Sequence, residues 1–434
     1  MTTTGGRRTV ALVTAPSVIE EWLEPLGVSL EAFRTEMSGG WMFNYVDALS
    51  TVGVHTVIVC FSEWVSAPQR FDHEPTGATI WMVPPGRRTA TARRWLEEPP
   101  LAGARGPRSL PRGLRRHLAP YRLTPLRPLA RVLREERCDA ILSQDFHSQR
   151  FDACALIGRL LRIPVFATFQ GGGFPGSLVS DAVRPLAIRA AAGLIIPARL
   201  EAERVRSRYG VAEDKCARIA NPLDVDAWRG VPRAEAREAL DIPPDVRMAI
   251  THGRIDIDDK GLDVLLEAWS RLQADRPQAN LRLVMVGTGD DSAEVREMLA
   301  GGRYPGAQLV DEYIVDSRRL QRHLSAADAF AFAGRYEGFP VAPTEAMACG
   351  LPVVATDASG IPDLLEAGEE SGGLVVARDD PAALGAALGR VLDDPDFSTE
   401  LGRRARRRVE EFCSLESVGR QLDDFMTRRG MRGR

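Results

Sequence analysis

Short apolar runs alternate with amphipathic stretches along most of this 434-residue chain. "TVALVTA" (9–15), "VHTVIVCF" (54–61), "DAILSQD" (139–145), "IPVFATF" (163–169) and "AGLIIPA" (192–198) predict one series of strands. "VRMAITHG" (246–253), "LRLVMVG" (281–287), "AQLVDEY" (307–313), "AFAFAG" (329–334), "LPVVATD" (351–357) and "GLVVA" (373–377) predict a second. Near-continuous apolar runs of this kind belong to strands covered on both faces. The stretches between them carry helical spacing, as in "GLDVLLEAWSRL" (261–272) and "PAALGAALGRVL" (381–392), the latter preceded by Asp379 and Asp380 as candidate caps. Regular strand–helix alternation predicts an α/β chain with parallel sheets. Pro, Asn and Gly cluster in "IANPLDVDAWRG" (219–230), which marks a hinge. Two doubly wound domains are therefore expected, over 1–222 and 223–412, with 413–434 left as a terminal segment.

Composition changes this picture little. A chain of this length, 44% hydrophobic, holds enough apolar material for two cores. A formal net charge of -3 sets it apart from generic nucleic-acid binders, and no nucleic-acid partner is expected. Six cysteines are scattered without CxxC pairs or His/Cys ligand spacing, which predicts reduced thiols, no zinc and a cytoplasmic location. No run approaches the roughly eighteen apolar residues that span a bilayer. Residues 87–137 depart from the alternation, with fourteen Arg against four acidic residues among Pro and Gly. That segment reads as a solvated insertion, or as a surface for anionic lipid or a phosphorylated acceptor, hence a candidate for peripheral membrane contact. An amphipathic helix around 126–137 is a further candidate to lie on a membrane surface, though not a compelling one.

Candidate chemistry lies in "RYEGFPVAPTEAMACGLPVVATD" (335–357). Pro343 suits a helix start and Gly350 a helix stop, so a helix over 343–349 is expected, with Glu345 in its first turn and Glu337 in the loop before it. A helix N-terminus presents free N–H groups to a diphosphate, and neighbouring carboxylates accept hydrogen bonds from sugar hydroxyls. The plainer reading is that Glu345 complements the helix dipole and Glu337 is solvated. In "THGRIDIDDKGLDVLLEAW" (251–269), Arg254 and Lys260 follow the first strand of the second domain, where ligands bind in such folds. Two cations there suit a diphosphate, both bound and departing.

The combination of GR(x5)KG with E(x7)E closely resembles the family-4 retaining glycosyltransferases, over about 246–412. "MSGGWMFNYVDALSTVGVHTVIV" (37–59) is similar to the family's glycine-rich loop, helix and second strand. The resemblance implies the GT-B fold: two Rossmann-like domains facing a cleft, with "CSLESVGRQLDDFMTRR" (413–429) crossing back to the first domain. It implies that a hexose passes with retention from a UDP- or GDP-linked donor to a small-molecule, glycan or lipid-linked acceptor. Arg254 and Lys260 would bind and stabilise the diphosphate. Glu337 would contact the donor sugar, and Glu345 the ribose. Gly338, Phe339 and Pro340 would lie against sugar and phosphate, as would Gly39 and Gly40 of the glycine-rich loop. The base would sit near "EYIVDSRRL" (312–320). The family's front-face proposal lets the departing phosphate take the acceptor proton, and no metal or cofactor is implied.

Many members carry a His facing the donor sugar where this chain has Gln170, followed by Gly171, in "VFATFQGGGFPGS" (165–177). Glutamine offers hydrogen bonds but no acid–base chemistry near pH 7. His147, in "SQDFHSQRFD", is a further candidate on the acceptor side, with Gln170 and Gly171. Two other readings stay open: a disaccharide phosphorylase on the same scaffold, and a member that binds sugar nucleotides without turnover. A dehydrogenase is disfavoured, since "VGTGDD" (286–291) has only part of the dinucleotide fingerprint.

Overall fold

In a computed structural model, which describes residues 7–14, 18–24, 27–85, 118–119, 121–171, 178–314 and 316–433, the two series of apolar runs form two separate sheets. The first sheet holds β1 (Thr9–Val13), β2 (His55–Phe61), β3 (Gln69–Asp72), β4 (Thr79–Val83), β5 (Ala140–Ser143), β6 (Val165–Thr168), β7 (Gly193–Ile195) and β8 (Cys216–Ala217). Their order is β3-β4-β2-β1-β5-β6-β7-β8, parallel except for β3, which runs antiparallel to β4. The register sets Val10 of β1 beside Thr56 on one side and Ala140 on the other. Chain order reverses between β1 and β5, and the ends of those strands form the switch point where such sheets bind ligands.

The second sheet holds β9 (Arg247–His252), β10 (Leu281–Gly287), β11 (Ala307–Asp311), β12 (Ala329–Phe332), β13 (Val353–Thr356) and β14 (Gly373–Val376). It is parallel throughout, in the order β11-β10-β9-β12-β13-β14, with its switch point between β9 and β12. The helix Leu262–Asp275 buries Leu265, Leu266, Trp269 and Leu272 in this sheet's core. Asp380 rather than Asp379 caps the helix Pro381–Asp393, accepting a hydrogen bond from the Ala383 N–H.

The chain divides into two units. One comprises Met1–Pro197, Glu201–Ile219 and Val418–Arg434, and the other Ala198–Leu200 and Ala220–Ser417. The terminal helix Leu415–Arg428 thus completes the first unit. Its Phe425 ring meets Phe166 edge-on at 5.8 Å, and Asp423 pairs with Arg8 at 2.5 Å. Gly419 is seated on the carbonyl of Ala48, where a Cβ would collide with backbone.

β3, β4 and β8 were not among the expected strands. β3 is an edge strand of mostly exposed residues, so it has no apolar run to betray it. β4 ("TIWMV") does have one, but no helix separates it from β2, so the alternation skips it. β8 has two residues. The helix expected over 343–349 spans Val341–Ala348, which moves Glu345 out of the first turn into the second. Pro340 occupies the cap position, and Pro343 falls within the first turn, where a missing donor costs nothing. The segment 126–137 forms the helix Leu126–Glu135, whose apolar face (Leu129, Val132, Leu133) is buried in the first core. Most of the Arg-rich stretch before it, 87–117 and 120, lies outside the described residues.

All six cysteines are free thiols. Among the described residues, no helix is long and apolar enough to cross a membrane.

Replacing a helical glycine by alanine ordinarily stabilises by about 1 kcal/mol. Gly419→Ala should do the reverse, lowering stability by about 1–3 kcal/mol because the Ala48 backbone must yield. Thermal denaturation monitored by circular dichroism reads the sign directly. A raised midpoint would show that the helix is not seated there.

Candidate functional site

The loops that follow β9 and β12 are built around glycine. Gly261 has φ 60°, and a Cβ there would strike the carbonyl of Ala333. Gly287, φ 147°, stands in the same relation to the carbonyl of Gly253. Only backbone without side chains lets these strand ends approach so closely. Between them the chain makes one helical turn, Ile257–Lys260, capped by Asp256, whose carboxylate accepts from the Asp259 N–H at 2.7 Å.

A cavity of about 310 Å3 opens at this end of the second sheet. Its wall includes Arg254, Lys260, Glu337 and Glu345, together with His252, Phe332, Val341 and Ala342. The Lys260 ammonium donates to Glu337 Oε2 at 2.8 Å and stands 6.0 Å above the Phe332 ring. Arg254 is more exposed and lies between Asp256 (3.0 Å) and Asp259 (2.9 Å). Glu345 Oε2 is 3.2 Å from His252 Nε2, and the imidazole packs edge-on against Phe330 at 5.6 Å. Burial first, and then the Glu345 carboxylate, push the Tyr313 hydroxyl above its ordinary pKa. The fold therefore brings the two cations and two carboxylates named from the sequence into one cavity, with Tyr313 of the 312–320 stretch beside Glu345. Gly338, Phe339 and Pro340 are buried. They lie beside the turn at Gly360, where a Cβ would meet Pro340, the Gly338 carbonyl and Phe339.

The opening residue of the 335–357 stretch was not singled out as a site residue, yet it ties the cavity together. Arg335 grips Asp263 through both carboxylate oxygens (3.0 and 2.8 Å) and Asp379 at 2.6 Å. It also donates to the Asp258 carbonyl at 2.9 Å, while its backbone N–H donates to Asp259 O at 3.0 Å. Its hydrogen bond to Asp263 is the largest influence raising the guanidinium's already high pKa. The loop carrying Glu337 is thus pinned to the turn carrying Lys260. Asp263 and Asp379, dispersed in sequence, gave no spacing signal for this.

In the first unit, Gly39 (φ 69°) caps the helix Gly40–Thr51, and Gly40 is also left-handed at φ 64°. Past the end of β5, Asp145 adopts φ 67° and accepts from the His147 N–H at 2.8 Å. The His147 ring lies between Phe146 (4.1 Å) and Phe169 (5.5 Å), with Glu201 and Arg204 within 3.9 and 3.3 Å of Nε2. Gln170 donates to Thr168 Oγ1 at 2.8 Å, and Gly171 follows it with φ 88°. One residue here escaped sequence reasoning. The Gln144 side chain is wholly buried at the switch point, and neither amide atom has a hydrogen-bond partner. A lone Gln after a strand carries no sequence signal. Among the described residues no cluster of His, Cys, Asp and Glu fits a metal ion.

Two switch-point α/β units, with a terminal helix completing the first, define the GT-B fold. Sucrose-phosphate synthase from Thermosynechococcus elongatus shares it with TM-score 0.67 and 21% identity, over 97% of this chain and 99% of that one. Anabaena Alr3699/HepE, solved in complex with UDP-glucose, does so with TM-score 0.65 and 13% identity, over 97% and 99%. Residues 42–227 match the family described as Glycosyltransferase Family 4, and residues 247–394 match Glycosyl transferases group 1. The chain belongs to this glycosyltransferase family. Among curated relatives, a D-inositol 3-phosphate glycosyltransferase of Saccharomonospora viridis is 29% identical over 238 residues, 54% of each chain. Another from Catenulispora acidiphila is 29% identical over 303 residues, 64% of this chain and 71% of that one. The chain thus spans about half the length of the first of these relatives.

Arg335→Ala removes the shared cation between Asp263 and Asp379. A loss of about 1 kcal/mol is expected in urea denaturation, modest because the network is partly solvated. Arg335→Lys should recover only part of it, since an ammonium cannot reproduce a two-pronged grip. Full recovery by Lys would reduce the role of Arg335 to charge alone.

Proposed function

We propose that this protein is a retaining glycosyltransferase that moves a hexose from a nucleoside-diphosphate sugar to a small polar acceptor, with a UDP sugar as the first donor to test. The observation that carries the reading is the convergence of Arg254, Lys260, Glu337 and Glu345 on one cavity at the end of β9 and β12. Charge in such a transfer builds on the departing diphosphate, and fixed cations lower the barrier by meeting it there. Glu337 positions Lys260 for that task and presents its second oxygen to sugar hydroxyls. Glu345 serves as ribose acceptor. With Gln170 in place of a titratable group, the acceptor proton goes to the leaving phosphate.

The donor choice draws support from solved neighbours in complex with UDP and with UDP-glucose. The acceptor site belongs to the first unit, where Gln144, His147, Gln170 and Gly171 gather beyond the ends of β5 and β6. The relatives' name makes an inositol phosphate the first acceptor to try. No metal ion takes part in this reading.

Titration calorimetry with UDP, GDP and ADP, in the presence of EDTA, should show selective binding of one nucleotide. Glu345→Ala should weaken it about 10–100-fold, the worth of a hydrogen bond to a charged group. Unchanged affinity would remove the ribose assignment. In turnover assays Lys260→Ala should lower kcat about 10²–10³-fold, the typical cost of losing one donor to developing charge. Sugar phosphate released on adding inorganic phosphate would redirect the reading to phosphorolysis. Activity abolished by EDTA and restored by magnesium would overturn the metal-free mechanism.

A further inference from the structure

The helices Leu126–Glu135, Gln149–Leu161 and Leu178–Ala190 bury Leu133, Ile157 and Ile188 in the same core of the first unit. They lead into β5, β6 and β7 respectively. Their last turns therefore gather at the edge where those strands begin, away from Gln144, His147 and Gln170 at the strand ends.

That edge is basic and apolar at once. Arg134, Arg159, Arg162 and Arg189 are all exposed there. Among the described residues none of the four forms an ion pair, whereas Arg131, one turn earlier, is paired with Glu135 at 2.6 Å. Among them stand leucines in contact with solvent: Leu160 is 72% exposed, Leu186 64% and Leu156 49%. Leu156 and Leu160 share one stripe of their helix, and the helix bearing Leu186 packs beside it. Arginines in a last turn complement the helix dipole, but that accounts for no exposed leucine. Scattered single leucines on a surface are ordinary, whereas three on two adjoining helices, each ending in an exposed arginine, are a patch.

We propose that this edge of the first unit docks onto an anionic lipid surface. The leucines enter the boundary between headgroups and acyl chains, and the four guanidiniums meet lipid phosphates. Charge argues against a second copy of the chain as the occupant. A two-fold contact would set the same arginines against one another, and the carboxylates near them, Glu135 and Asp214, are already paired with Arg131 and Arg429. Lipid docking leaves the strand ends that carry Gln144, His147 and Gln170 pointing away from the bilayer. The proposal stands independently of the transferase reading.

Co-sedimentation of the full chain with vesicles tests it, using phosphatidylcholine alone and phosphatidylcholine mixed equally with phosphatidylglycerol. Binding is expected only to the mixed vesicles, falling as salt is added. Leu160→Ser with Leu186→Ser should weaken it at least about tenfold, given the apolar area withdrawn. Arg159→Glu with Arg162→Glu should do likewise, whereas Arg407→Glu in the second unit should not. All of these positions are exposed, so thermal midpoints should match the parent and confirm folding. No binding to anionic vesicles, or binding that persists in both double variants, overturns the proposal. So does a parent dimer that dissociates in the leucine variant, since the patch would then belong to a second copy.

Discussion

Everything at the candidate site follows from a contact with no side chain on one partner. The backbone at Gly261 lies so close to the Ala333 carbonyl that a methyl group would not fit, and Gly287 meets Gly253 in the same way. These contacts hold three loops at backbone distance where β9, β10 and β12 end. Parallel strands bring their loops to one edge, but only bare backbone lets them touch. Lys260 precedes Gly261 directly, so its ammonium inherits its position from that contact. Glu337 is four residues past Ala333 and inherits the other side.

Arg335 converts closeness into alignment. A guanidinium offers five donors in a rigid plane, and this one distributes them to two carboxylates and to carbonyls of the neighbouring turn. Lys260 and Glu337 then meet at 2.8 Å without either having to search for the other. Arg254 lies outside this framework and is the more solvated of the two cations. The cavity thus has one cation held firmly and one held loosely. That difference suits a site whose ligand brings charge of its own.

The fold was largely legible because burial on both faces writes parallel strands as apolar runs, and every run named in advance became a strand. Two of the three strands that escaped lacked that cause, since β3 is exposed and β8 is too short to form a run, whereas β4 has its run but follows β2 with no helix between. At the site, Arg254, Lys260, Glu337 and Glu345 stand in two compact motifs, so their place after strands and the resemblance those motifs carry singled them out together. Arg335 stands in the same motif but works through Asp263 and Asp379, partners that only the fold brings near. Gln144 was illegible for another reason, since its singularity lies in a missing partner, and absence leaves no trace in a sequence. The start of the helix Val341–Ala348 was misjudged because Pro343 is as comfortable late in a first turn as at its beginning.

The first unit is discontinuous, and its last piece, Val418–Arg434, follows the whole of the second unit in the chain. On the ribosome, the domain that emerges first must wait for the other to be made before Phe425 reaches Phe166 and Asp423 reaches Arg8. Until then the rings and backbone that the terminal helix will cover remain open to solvent and to chaperones. Translation order and folding order therefore diverge, and the half that begins the chain is the last to be finished.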